Sequence, residues 1–257
     1  MNDMDSNMND PNQTPQRLPP LYGNLPRTPR EAPLGENACE REPINGMVAV
    51  VESILRQPRR IYYQIRQPGQ AGLMGYLLLL AMICGLIYGL VVGTFSMADQ
   101  IWAAPVKVTL GLLISAFICL PSLYIFSALS GSEARLLEVC GLLTGVLALS
   151  TLLLIGFAPV AWIFSESTTH VAVMSTLHMF FWVIATYFGL RFLQKGFSHL
   201  QLRSYGGLTI WMVIFVAVAL QMMTTLRPLV GKSDTFLPAR KEKMFFLDHW
   251  AETLKKL

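Results

Sequence analysis

The stretch Gly72–Phe95, GLMGYLLLLAMICGLIYGLVVGTF, decides the reading of this chain. It contains no Asp, Glu, Lys or Arg and is apolar on every side of a would-be helix. A hydrocarbon layer about 30 Å thick needs roughly 20 such residues in helical form. A centrally placed charge would cost about 2.5–3.5 kcal/mol on insertion scales, so its absence over this length predicts a membrane span. Four further stretches read the same way: Val108–Ser130, Val139–Phe164, Val171–Leu190 and Gly207–Leu226. The predicted fold class is all-α: an integral membrane bundle of five transmembrane helices over 72–226, preceded by a disordered N-terminal tail.

Bulk composition agrees. Of 257 residues, 53% are hydrophobic and 14% charged, too apolar a balance for an ordinary water-soluble domain. A net charge of +4 gives no basic face for nucleic acid, so nucleic acid is not an expected partner. Of four cysteines, Cys84, Cys119 and Cys140 fall in or beside spans, and only Cys39 lies in hydrophilic sequence. With no CxxC pair and no Cys/His cluster, no metal site is assigned. The N-terminus lacks a basic stretch followed by an apolar one, so the first span is expected to direct insertion itself.

Outside the spans the chain changes material. Residues 1–45 hold eight of the fifteen prolines with much Asn, Gln and charge, which predicts disorder. Residues 46–68 carry Met47, Val50, Val51, Ile54 and Leu55 at helical spacing, then Arg56, Arg59, Arg60 and Arg66 around Pro58. They read as an amphipathic piece lying on headgroups with a lipid-facing basic collar, or else as a helix packed on the bundle. Each such arginine near an anionic leaflet contributes about 1 kcal/mol. Residues 227–257 form a C-terminal tail in which 244–257 look amphipathic, with Phe245, Phe246 and Trp250 suited to an interface.

Charge asymmetry orients the chain. One side carries Arg56, Arg59, Arg60, Arg66, Arg135, Arg191, Lys195 and Arg203, whereas the opposite short loops carry only Lys107 beside Asp99 and Glu166. The positive-inside rule then places the N-terminus in the cytoplasm, although the basic tail after Leu226 argues the other way.

Packing devices are the clearest local signals. Gly85, Gly89 and Gly93, with Ala81 one step before, repeat every four residues and leave a smooth helix face; Gly141 and Gly145 repeat the device in the third span. They serve close helix packing within one chain, or self-association. Pro121 and Pro159 interrupt spans two and three and can kink them. His178 and Gln221 are the polar groups nearest mid-membrane depth and define a candidate polar pathway. Catalysis has thin support: HExxH, GxSxG and P-loop patterns are absent, and Glu166 with His170 is a weak pair, so no catalytic residue or cofactor is assigned. Pro19-Pro20-Leu21-Tyr22 fits the PPxY pattern read by WW domains.

Three stretches carry a family likeness: LPSLYIFSALSG at 120–131, FAPVAWIFS at 157–165 and LRPLVG at 226–231. Over residues 46–250 the chain resembles a group of uncharacterised multi-pass bacterial membrane proteins, which implies a bacterial inner-membrane location and brings no activity. Some members are labelled actin-binding, and Leu254-Lys255-Lys256-Leu257 resembles the LKKT-like element of Wiskott–Aldrich-homology peptides, but the chain ends there and actin is not an expected partner. The plan also resembles the Yip-type domain family, with a cytosolic tail, five helices and a glycine-bearing second loop. That likeness implies organisation of membranes or membrane partners. The expected function is therefore a non-enzymatic scaffold or accessory subunit bound to the bilayer, to other membrane proteins or to itself. The rival is a small-solute transporter or channel subunit.

Overall fold

The computed structural model describes residues 33–95, 102–167, 171–200 and 204–225. The calls on residues 1–32, on 226–257 (LRPLVG, Phe245, Phe246, Trp250 and LKKL included), on the PPxY match and on His170 lie outside the described residues. Every regular element among the described residues is a helix: α1 (Ala38–Arg41), α2 (Met47–Arg56), α3 (Pro58–Ile65), α4 (Ala71–Phe95), α5 (Ala103–Leu129), α6 (Leu136–Ser167), α7 (Val171–Ser198) and α8 (Gly206–Thr225). Helices α4 to α7 are each long and apolar enough to cross a membrane. Helix α8 is apolar and shorter in its described part.

The helices run past the apolar limits because charge ends a span but not a helix. α7 continues through Arg191 and Lys195 to Ser198. α5 begins at Ala103, since Pro105 sits in the first turn, where a missing N–H costs no helical bond. Lys107, expected in an outer loop, is instead a fully buried residue of α5.

Large apolar side chains cover the outside of the bundle. Phe117 is 77% exposed, Val213 66% and Phe180 60%, and similar residues surround α4 to α8. In water such contiguous patches drive association. Against acyl chains they are matched to their solvent, so the fold is oil-facing outside as well as inside.

Helix α6 is the hub. It packs on α4 and α7 and, less closely, on α5; α4 packs on α5, and α5 on α8. Helices α7 and α8 barely touch. The core splits into a large cluster that includes Leu77, Leu123, Leu142, Leu193, Phe197 and Trp211, and a smaller one around Tyr88, Leu154, Ala161 and Phe181.

Between α5 and α6 the chain reverses in a Schellman turn. Gly131 takes φ +78°, its N–H donates to Ala128 O, and Ser132 N–H donates to Ser127 O at 3.1 Å. Helix α6 then starts with its Glu138 side chain reaching back to the N-terminus, where the Arg135 N–H donates to Glu138 Oε2 at 2.9 Å.

The compact unit starts at Leu34, not at residue 46. Residues 34–45, expected to belong to the disordered tail, fold back on α3. Residues 46–68 pack on the bundle, with Val50, Ile54, Ile61, Tyr62 and Ile65 buried in the main core. Of the two readings of this segment, the packed helix is the one observed.

Candidate functional site

Three constructions bear on function: the seams between helices, one polar contact inside the bundle, and a platform at its basic end.

The small residues are used inside the chain. A Cβ on Gly89 would overlap the backbone of Pro105, and one on Gly85 would stand 2.9 Å from Thr109 Oγ1. These two glycines therefore let α4 lie directly against α5. Gly141 admits Ile65 of α3, and Gly145 admits the Phe192 ring of α7. Ala81 and Gly93 are buried in α4. Two further glycines that the sequence reading passed over do the same work, Gly189 against Ser150 and Gly196 against Leu142. Their spacing of seven is helical, yet no GxxxG pattern flags it.

Helix α8 is held differently. Trp211 is fully buried, stacks on Phe215 at 5.2 Å, and donates its Nε1–H to Cys119 O (3.1 Å) and Ser122 Oγ (3.0 Å) of α5. This turn also contains Pro121, and the Ser122 hydroxyl donates to the same Cys119 carbonyl at 2.8 Å, so the indole joins a group already bonded within α5. Nothing in an all-apolar stretch marks Trp211 in advance. A tryptophan in such a segment needs a partner for its N–H, and the proline turn provides one.

Neither proline lines an interior route. Pro121 and Pro159 are both exposed, on the outer faces of their helices. Helix α6 passes through Pro159 while Ala158 and Ala161 stay buried beside it.

Inside the bundle, Tyr88 of α4 and His178 of α7 meet with Oη and Nδ1 2.7 Å apart and their rings edge to face at 5.7 Å. The other ring nitrogen, Nε2, is buried without a hydrogen-bond partner among the described residues. Gln221 lies on α8 and is not bonded to His178. The structure thus gives His178 a tyrosine partner and does not join the two residues of the expected pathway. Nearby, Ser150 Oγ donates to Ala185 O at 3.3 Å, a second polar link between α6 and α7.

At the basic end, α1 to α3 form the platform. Glu40 is buried and accepts from the Gly35 N–H (2.6 Å), the Asn37 amide (3.2 Å) and Arg59 Nε (2.7 Å). Burial pushes its carboxyl up, but the Arg59 guanidinium and the two amide donors outweigh it and hold the group below its ordinary value. Arg60 donates to the carbonyls of Glu42 and Pro43 at 3.0 and 3.1 Å, and Gln64 donates to the Glu42 carbonyl as well. Tyr62 fixes the platform to the bundle by donating to Phe192 O of α7 at 2.9 Å. The expected lipid-facing collar is therefore divided. Arg59 and Arg60 turn back to the α1 segment, where Pro58 has redirected the chain toward carboxylates and free carbonyls. Arg56 and Arg66 stay exposed, Arg56 beside Glu52 at 3.4 Å and Arg66 donating to His199 O at 3.4 Å.

No group of three or more metal-ligating side chains occurs among the described residues. Compared with known protein families, with curated proteins and with solved structures, the chain matches none.

Proposed function

We propose that this chain is a five-span protein of the bacterial cytoplasmic membrane, with its N-terminus in the cytoplasm, acting as a non-enzymatic scaffold or accessory subunit. Its partners are lipids and other membrane proteins. The observation that carries this reading is the platform: charged residues 34–66 are folded and bolted through Ile61, Tyr62 and Ile65 to the end of the bundle. A rigid charged surface at the membrane face suits docking. α8, with its 20 residues, is the proposed fifth span.

Co-purification of the full chain in mild detergent tests it. The expected result is a stoichiometric complex that cross-links through exposed Cys39 on α1. An impermeant maleimide should reach Cys39 only after cells are permeabilised; labelling in intact cells reverses the orientation.

One observation favours the rival reading, a small-solute transporter or channel subunit: the buried, half-partnered His178. Flux into liposomes that vanishes in both His178→Ala and Gln221→Ala would establish it and defeat the scaffold.

A further inference from the structure

Beside the platform, Arg66, Glu133, Arg135, Glu138 and Leu200 line a polar cavity of about 290 Å³. That approaches the size of small-molecule sites, about 300–1,000 Å³. The cavity joins the end of α3, the α5–α6 turn, the first turn of α6 and the end of α7. Its walls are built rather than loose. Ser132 Oγ donates to Leu200 O and accepts from the Ala134 N–H, the Schellman turn holds Gly131, and Glu138 caps α6. Arg66 is steadied by His199 O.

Two features specify an occupant. The lining carries two guanidinium groups and two carboxylates, yet no ion pair forms between them among the described residues. Charges of both signs thus face one space without neutralising each other by contact. In the chain on either side of the turn, Leu129 ends α5 exposed, and Leu136 and Leu137 begin α6 exposed. Exposed leucines at the base of long apolar helices mark the edge of the hydrocarbon, which puts the cavity at headgroup depth.

We propose that this cavity binds a zwitterion bearing a phosphate and a primary ammonium, presented as the phosphoethanolamine headgroup of a bilayer lipid. Arg66 and Arg135 donate to the phosphate oxygens, as guanidinium forks do. The ammonium donates to Glu133 and Glu138, whose carboxylates a trimethylammonium group has no N–H to satisfy. The acyl chains leave across Leu129, Leu136 and Leu137 into the bilayer. The proposal rests on the lipid-binding part of the scaffold reading.

The test is thermal unfolding of the purified full chain in detergent, titrated with phosphatidylethanolamine, phosphatidylcholine, phosphatidylglycerol or soluble phosphoethanolamine. Phosphatidylethanolamine should raise the melting temperature at the lowest concentration. Arg135→Gln and Glu133→Gln, whose side chains are exposed and make no described hydrogen bond, should fold as the parent does and each weaken that response about tenfold, as expected for one charged contact. An equal response to phosphatidylcholine or phosphatidylglycerol, or an undiminished response in both variants, overturns the site. An equal response to soluble phosphoethanolamine overturns the lipid as its source. A protein that prefers phosphatidylethanolamine but never co-purifies with a partner loses only the protein-scaffold reading. One that keeps its partner without any lipid preference loses only this site.

Discussion

Helix α5 is held on its two sides by opposite means. Toward α4 it meets glycines, so backbone approaches backbone at Pro105 and the Thr109 side chain fits against Gly85. Toward α8 it meets a large aromatic residue whose indole N–H reaches the Cys119 carbonyl. In oil, apolar contact has little preference for protein over lipid, so helices adhere through close van der Waals fit or through hydrogen bonds. The two seams are nearly pure examples of each. A seam of the first kind tolerates no added volume, and one of the second kind tolerates no lost donor.

The largest effect should come from overfilling the first seam. Gly89→Leu places a branched side chain where Pro105 backbone lies and should cost about 3 kcal/mol or more. Buried Cys84 and Cys119 report the damage: a thiol-reactive dye should label them at a markedly lower temperature. Gly156→Leu, at an exposed position with open space around it, should leave that temperature within a degree or two; equal damage from both would dissolve the distinction.

Next in size is the second seam. Trp211→Phe keeps most of the ring and removes the donor, for a cost of about 1 kcal/mol. Adding Ser122→Ala to that variant should change little further, because the shared hydrogen bond is already gone. Full additivity of the two substitutions in the same dye assay would show that the indole N–H is not the lock.

A smaller change separates the platform from the bundle. Tyr62→Phe removes the bond to Phe192 O, again worth about 1 kcal/mol, and should speed amide exchange in α2 and α3 before it affects α4. Simultaneous loosening of α4 would mean that platform and spans unfold as one.

The smallest effect is set by pH. The Glu40 carboxyl is held below its ordinary value, so the open form of the α1 clasp takes up a proton more readily than the closed form. The clasp is therefore at full strength above the ordinary carboxylate range near 4 and is lost as pH falls through the lower, folded value. Exchange at the Gly35 N–H, which donates to Glu40, should accelerate in acid and should be insensitive to pH, beyond the intrinsic chemistry, in Glu40→Gln. Acid-independent protection in the parent chain would remove the carboxylate from this role.

These seams were unequally visible in the amino-acid order. The spans were readable because hydrocarbon imposes one simple condition, a long run without charge, and α4 to α7 meet it. The glycine seam was readable for the same reason of simplicity, since four-residue spacing alone puts Gly85 and Gly89 on one face. The Trp211 latch was not, because its partners, the Cys119 carbonyl and the Ser122 hydroxyl, lie on another helix far away in the chain. Nor was the Glu40 clasp: composition marks residues 34–45 as tail, and only Arg59, brought close by the α2–α3 turn, makes burial of that carboxylate tolerable. Half of the basic collar was hidden on the same ground, as Arg59 and Arg60 meet anionic and carbonyl partners in protein while Arg56 and Arg66 stay exposed. The charged cavity mixes sequence positions 66, 133–138 and 200, which only the turn between α5 and α6 brings together.

The indole latch also sets an order in time. Trp211 follows its acceptor by 92 positions, so Cys119 leaves the ribosome well before the indole that will latch onto it. At about 5–20 residues per second that interval is roughly 5–20 s. Throughout it, the Cys119 carbonyl is held within α5 by the Ser122 hydroxyl, and the seam to α8 stays open until Trp211 has been made.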